Sequence, residues 1–434
     1  MESYLLIRRF GLELLMRNKL HPAWPVALVT FLVLVVTAGI RAAPSVLVVP
    51  LEESFGWRRD QIALAISVNV LLFGLVAPFA AALMERFGVR KIVLSALILV
   101  SGGAFSTMYI KSPGQLIASW GVVVGVGTGS MALVFGGTIA NRWFVKNRGL
   151  VIGIFTAASA TGQLVFLPGL AFLADNKGWK TVSFSVLVAC AVMLPLVFIF
   201  LRESPASFGK LPYGADENWQ APVKSEISAG KLAILTLKQA SAKKDFWYLF
   251  FSFFVCGLST SGLIGTHLIP AAHDHGMPET VAASLLALIG VFDLIGTIAS
   301  GYLTDRIDPR KLLFFYYFLR GLSLFLLPMI LFQTVHPSTL VFVIFYGLDW
   351  VATVPPTIML CRTILGPDRG MVVYGWVFVA HQIGASIAAL GAAILRVKLG
   401  DYALAFYISG ALCILSAALV LRIARNIPAD KLRT

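Results

Sequence analysis

The sequence predicts an all-α membrane protein with twelve transmembrane helices in two pseudo-symmetric six-helix halves. Three observations carry this: an extreme composition, twelve separate apolar stretches, and an internal repeat. Of 434 residues, 58% are apolar and 13% charged, with 31 Phe and 9 Trp. A water-soluble chain of this length could not hide that much apolar surface, so the lipid bilayer is the expected solvent and first partner. A spanning helix needs about 20 mostly apolar residues. Such stretches fall at 25–48, 61–83, 92–110, 115–140, 150–173 and 181–202, then at 245–272, 281–303, 312–332, 338–362, 371–396 and 402–424.

The polar segments between them define the organisation. Residues 1–24 mix Arg8, Arg9, Arg17 and Lys19 with Leu5, Leu6, Leu12 and Leu15, without a small-residue cleavage site. They read as an amphipathic segment on the cytoplasmic headgroups, not as a cleavable signal. The first six-helix half is 25–202. Residues 203–244 form the one long polar linker, with Pro205, Pro212, Gly214 and Pro222 followed by an amphipathic run from Ile227 to Lys244. The second half is 245–424, and 425–434 is a cytoplasmic tail. The net charge of +14 follows this topology. With both termini inside, roughly 26 of the 35 Lys and Arg fall in cytoplasmic segments and roughly 7 outside, which is the positive-inside pattern. The basic balance therefore reads as membrane orientation, with no nucleic-acid partner. Cys190, Cys256, Cys361 and Cys413 all lie in apolar stretches without metal-ligand spacing, so neither a metal nor a disulfide is expected.

The halves repeat each other. Between the second and third stretches the chain reads Ala81-Ala-Leu-Met-Glu85-Arg86-Phe-Gly88-Val-Arg90-Lys91. Shifted by 220 residues, it reads Gly301-Tyr-Leu-Thr-Asp305-Arg306-Ile-Asp308-Pro-Arg310-Lys311. Arg142 and Arg148-Gly149 are matched by Arg362 and Arg369-Gly370, the dipeptides one residue out of register. Two matches at essentially one offset mark a parallel internal repeat. This doubled loop resembles the signature of the major facilitator superfamily, and the resemblance covers the whole chain. It implies the major facilitator fold, with a central site lined by helices 1, 4, 7 and 10. Glu85, Arg86, Arg90, Asp305, Arg306, Arg310, Arg142 and Arg362 are then expected to gate the cytoplasmic side through charge pairs that hold one access state together. Plain topogenic charge is the alternative. The sequence departs from the pattern at Ala81, Glu85 and Asp308, where glycine, aspartate and glycine are usual.

Ionisable groups inside the apolar stretches are the informative ones, because each costs roughly 2.5–3.5 kcal/mol at a helix centre. Arg41 shares a helical stripe with Thr30, Thr37 and Ser45. It suits a bidentate clamp on a carboxylate; the alternative is snorkelling to the outer headgroups. Asp293 heads a stripe with Thr297, Ser300 and Thr304, while Asp349 shares a face with Tyr346, Thr353 and Thr357. Either aspartate is a candidate proton carrier, and Arg320 is a candidate partner in coupling or in an internal strut. His267, His381, Gln382, Tyr374, Asn69 and Gln163 complete the candidate substrate-binding set, against a plain helix-packing reading for each.

A narrower resemblance rests on Gly39-Ile-Arg41, on Pro50-Leu-Glu-Glu-Ser-Phe-Gly56-Trp57-Arg-Arg-Asp-Gln-Ile, on Asp293 and on His381-Gln382. These are similar to the bacterial monocarboxylate-transporter-like branch that includes oxalate–formate antiporters. The resemblance implies a small organic anion, moved with a proton or exchanged for another anion. The short loops and this branch point to a bacterial inner membrane, and the chain is expected to act as a monomer. Thr297 stands where vertebrate-type carriers place an arginine, and a single cavity arginine suits a single negative charge. A multidrug exporter of the same fold is the competing reading. The fourth stretch lacks an arginine and the fifth lacks Gly-Pro, which count against it. No nucleotide-binding glycine loop or catalytic triad spacing is present, so neither an enzyme nor an ATP-driven pump is expected, and no cofactor.

Overall fold

The computed structural model describes residues 21–216 and 229–424. The expected N-terminal amphipathic segment, the middle of the linker and the tail from residue 425 fall essentially outside the described residues. Twelve long helical units follow one another: α1 Ala23–Phe55, α2 Arg59–Phe87, α3 Val89–Thr107, α4 Pro113–Trp143, α5 Arg148–Lys177 and α6 Trp179–Phe200, then α7 Lys244–Asp274, α8 Glu279–Thr304, α9 Pro309–Ile330, α10 Pro337–Leu365, α11 Pro367–Leu399 and α12 Ala403–Val420. Eleven are long and apolar enough to cross a membrane over their described residues; the remaining one, α5, is a 30-residue helix. Adding 220 to the first residue of each of α1–α6 lands within four residues of the start of its counterpart in α7–α12. The repeat read from two loops therefore extends through every helix.

Packing joins the halves along two diagonals, α2 against α11 and α5 against α8, while α1 packs on α5 and α9 on α12 within the halves. The close approach of α7 to α11 depends on glycine. A Cβ on Gly257 would stand 1.8 Å from the His381 carbonyl oxygen, and one on Gly384 2.0 Å from that of Phe254. No larger residue fits at either contact without parting the helices.

Three helices are irregular where they pass through the middle of the bundle. π-helical turns run over Ile117–Val124 in α4 and Leu258–Ile264 in α7. The α-helical pattern breaks at Met131–Ala132 in α4 and at Trp350–Thr353 in α10, positions related by the same 220-residue offset. In α10 the cause is local. Pro355 and Pro356 lack the N–H groups that would bond Val351 and Ala352 four residues back.

The linker begins by docking on the end of α4. Tyr213 donates its N–H to the Trp143 carbonyl at 2.8 Å and accepts from Val145 at 3.0 Å. His21 ties the start of α1 to the same segment: its Nδ1 accepts from the Ala23 N–H and its Nε2 donates to the Leu211 carbonyl at 3.1 Å. Burial pulls the pKa of this imidazole below its ordinary value, which keeps Nδ1 free to accept. The linker then re-forms as a helix, Ala229–Ser241, whose Ala233 carbonyl accepts from the Trp376 indole at 2.9 Å. The face carrying these segments is the terminal face; the opposite one is the far face.

Candidate functional site

Arg41 lies over the Phe73 ring, with its guanidinium carbon 3.9 Å from the ring centroid. Phe73 is the fifteenth of the 29 residues of α2, so the guanidinium sits at mid-depth and not at a headgroup. It lines a cavity of about 50 Å³ between the halves, with Ser45 and Asn69 on one side and Ser261, Thr266 and Leu286 on the other. Among the described residues no carboxylate pairs with it. Ser261 is the position 220 residues on from Arg41, so the repeat has placed a cation in one half and a hydroxyl in the other. A cavity of this size holds a few waters at most. Thr30 and Thr37 of the Arg41 stripe are buried and bond back to the Val26 and Val33 carbonyls, outside the cavity lining.

An aromatic path leads from Arg41 to α11. Phe73 meets Phe378 edge-on at 6.5 Å, and Phe378 stacks on His381 at 5.7 Å. His381 also packs 5.1 Å from Phe253, and its buried Nδ1 has no hydrogen-bond partner among the described residues. Next to it, the side chain of Gln382 presses on Gly74, and its buried Oε1 likewise has no partner among them. Tyr374 packs against Phe253 and Phe378 at 5.9 and 6.3 Å. Asn69 donates to the Trp120 carbonyl at 2.7 Å. The Gln163 side chain lies outside the described residues. His267 goes elsewhere: it bonds the Ala389 carbonyl at 2.7 Å and packs on the Tyr402 ring near the far face.

The charges of the second half gather around the broken α10. Arg320 pairs with Asp349 at 2.5 Å, both side chains almost fully buried. Its other nitrogen donates to the Asp349 and Trp350 carbonyls at 2.7 and 3.4 Å, groups that the break has freed. Cys256 and Ser259 of α7 complete its shell. Asp293 accepts the Val351 N–H at 2.9 Å and the Thr297 hydroxyl at 3.0 Å, and forms no ion pair among the described residues. Ser300 donates to the Ala352 carbonyl at 2.5 Å. Asp293 and Ser300 of the α8 stripe thus join Arg320 in satisfying the α10 break, while Thr297 and Thr304 bond within α8, to Asp293 and to the Ser300 carbonyl. Tyr346 and Thr353 on the Asp349 face instead reach α7, at the Ser259 carbonyl and the Cys256 thiol.

The far face is closed by an ion network that sequence reading missed. Arg59, at the start of α2, donates two bonds of 2.8 Å to Asp274 and one of 2.6 Å to Glu52. Arg396 of α11 adds a 2.6 Å bond to Asp274, and the Tyr402 hydroxyl stands 3.5 Å from Arg59. The signal was present: Glu52-Glu53 and Arg58-Arg59 flank a connection too short to leave them apart.

The expected gating residues sit at the terminal face. Glu85, Arg86, Asp305, Arg306 and Arg362 are exposed. Among the described residues no ion pair joins the two halves here. Arg90 packs over Phe198 and Arg306 over Tyr302. Glu203 accepts the Val89 and Arg90 N–H groups at 2.7 and 3.1 Å and meets Arg142 at 3.7 Å. Asp308 takes the Arg310 N–H at 3.0 Å and its guanidinium at 2.6 Å.

The sequence profile of the Major Facilitator Superfamily matches residues 29–389. The chain belongs to this superfamily. The uncharacterized MFS-type transporter YcxA of Bacillus subtilis is 27% identical over 350 residues, covering 79% of this chain and 80% of that one. Monocarboxylate transporter 13 of Rattus norvegicus is 25% identical over 399 residues, covering 89% and 86%. Among solved structures, a D-xylose–proton symporter superposes with a TM-score of 0.71 at 16% identity, covering 95% of this chain and 99% of its own. A bacterial homologue of the human lysosomal transporter Spinster, in an inward-facing and unoccupied conformation, gives 0.67 at 16% identity, with 94% and 96% covered. At such identity these two structures speak for the fold of this superfamily member, an MFS transporter, and for nothing finer.

Proposed function

We propose that this transporter moves a small monocarboxylate-like anion by alternating access, with a proton as coupling ion. One observation carries the reading: Arg41, a guanidinium at mid-depth, faces the cavity between the halves and has no carboxylate of the chain's own among the described residues. A fixed, unneutralised cation in a low-dielectric site favours an anion that supplies the missing charge. His381 and Gln382, whose orphaned polar atoms lie at the end of the aromatic path, offer the further hydrogen bonds that a carboxylate's second oxygen or a neighbouring hydroxyl needs. The monocarboxylate transporters among the relatives support the same class. The proton is assigned to Asp293, because Asp349 is engaged with Arg320 while Asp293 has only uncharged donors.

The ion network across the far face, and the lack of an ion pair between the halves at the terminal face among the described residues, support reading this as the conformation shut on the far side. In the opposite one, Arg86, Arg90 and Arg142 meet Asp305, and Arg306, Arg310 and Arg362 meet Glu85. The terminal face is cytoplasmic in this reading, the membrane is a bacterial inner membrane, and one chain suffices.

Thermal unfolding of detergent-purified protein with monocarboxylates, dicarboxylates, neutral solutes and lipophilic cations tests the substrate class, since a ligand specific for the folded state raises the melting point. Monocarboxylates are expected to stabilise wild type and to lose that effect in Arg41→Gln. Stabilisation by lipophilic cations alone would sink the anion reading and favour an exporter.

A further inference from the structure

Closing the far face brings together more negative charge than its arginines neutralise. Glu279, the first residue of α8, is only 7% exposed, and its Oε2 is sealed from solvent without a hydrogen-bond donor among the described residues. The charges that act on it all come from the first half: Glu53 at the end of α1, Asp175 at the end of α5, and Arg59 at the start of α2. His273 of α7 acts in turn on Asp175. Arg59 is the one cation of the set that reaches Glu279, and it is already committed to Asp274 and Glu52 through three short bonds. Asp274 is shared with Arg396. Glu53 and Asp175 are themselves exposed, whereas Glu279 is buried where α8 packs on α5, and its Oε2 has no donor among the described residues.

We propose that Glu279 is a proton-binding residue of the transport cycle, loaded when the far face shuts and released when it opens. A bare carboxylate in that position would be desolvated, with one oxygen lacking a donor and two other carboxylates acting on it, which favours separation of the halves. A protonated one removes the repulsion and lets α8 close against α5. This rests on the alternating-access reading and adds a second proton site at the start of α8, about 21 Å along the helix from Asp293. The sign follows from linkage: the closed form binds the proton, so acid favours closure and alkali favours opening.

The test uses substrate-free full-length protein in liposomes, spin-labelled at Asn176→Cys and Ser338→Cys, both exposed on the far face. The four native cysteines are buried, which limits background labelling. Double electron–electron resonance then reads the closed-to-open ratio across pH. For wild type the ratio is expected to fall as pH rises, by up to about tenfold per unit, the limit for one linked proton. Glu279→Gln should remain closed with a flat profile, and Glu279→Asp should keep a pH-dependent one. A wild type with no pH response, or a Glu279→Gln response identical to wild type, overturns the proposal. Because no substrate is present, failure of the anion reading leaves this result interpretable: Arg41→Gln is expected to keep the wild-type pH profile here while losing ligand stabilisation.

Discussion

At the scale of single residues, the two buried arginines have opposite situations and should respond oppositely to substitution. Arg41 faces space; Arg320 faces partners. Arg41→Gln is expected to fold normally and lose carboxylate binding, while Arg41→Lys retains a point charge and binds more weakly, since an ammonium cannot grip a carboxylate bidentately. Asp349→Asn leaves the Arg320 charge uncompensated and should cost about 3–5 kcal/mol of stability, measured by denaturant unfolding in detergent. The double variant Arg320→Met/Asp349→Leu should not recover fully. It orphans the Asp349 and Trp350 carbonyls, at about 1–3 kcal/mol for each buried group left unsatisfied. Full recovery would show that the guanidinium does not hold the break. Asp293→Asn keeps an acceptor for the Val351 N–H, so folding and downhill anion exchange should persist while uptake driven by a pH gradient is lost in proteoliposomes. The charged positions were legible in the sequence because ionisable groups are conspicuous in apolar stretches. Their pairing was not, since spacing along one helix does not say which neighbour it faces. Phe73 and Phe378 were invisible for the opposite reason: among 31 phenylalanines, nothing marks the one under Arg41 or its neighbour on α11.

At the scale of elements, the twelve helices were readable almost to their ends, because apolar length decides them. Their interruptions were less so. The two prolines at 355 and 356 announce a break in α10, whereas the π-helical turns in α4 and α7 have no comparable marker. One departure from the usual loop signature, Asp308 in place of glycine, becomes intelligible in the structure. Gly88 has a positive φ of 95° and lies against Glu203, which caps α3 from outside. At the equivalent place Asp308 caps α9 with its own side chain, and Arg310 reaches the Ile423 carbonyl, 220 residues on from Glu203. Each half thus satisfies its helix start by a different route. Glu203→Gln should lower the melting point, since about 1 kcal/mol or more is at stake in a charged cap. Asp308→Gly should do the same in the other half. No change in either would mean that these loops hold nothing.

At the scale of the whole molecule, two halves meet through a sealed network on one face and through no ion pair of described residues on the other. That asymmetry underlies the proposal that the far face is the shut one. Arg59→Gln removes three charge-assisted bonds, each worth about 1.5–3 kcal/mol, so the far-face-open population should rise at least tenfold. A cysteine introduced at Ser45, on the cavity wall, should then react with a membrane-impermeant thiol reagent added from that side, where wild type is protected. Equal protection in both would move the gate elsewhere. The sequence announced the duplicated architecture through two loop signatures. It could not announce which face is shut, because the same residues serve both arrangements.

The Arg320–Asp349 pair has a consequence for biogenesis. Each residue sits deep in a segment that must leave the translocon for lipid, and each alone carries a partition penalty of roughly 2.5–3.5 kcal/mol. Only residues 331–336 separate α9 from α10, so the two segments can enter as a hairpin with the ions already neutralised. Glycosylation mapping in microsomes should then show α9 integrating inefficiently alone and efficiently when α10 follows it, with Asp349→Leu erasing the assistance.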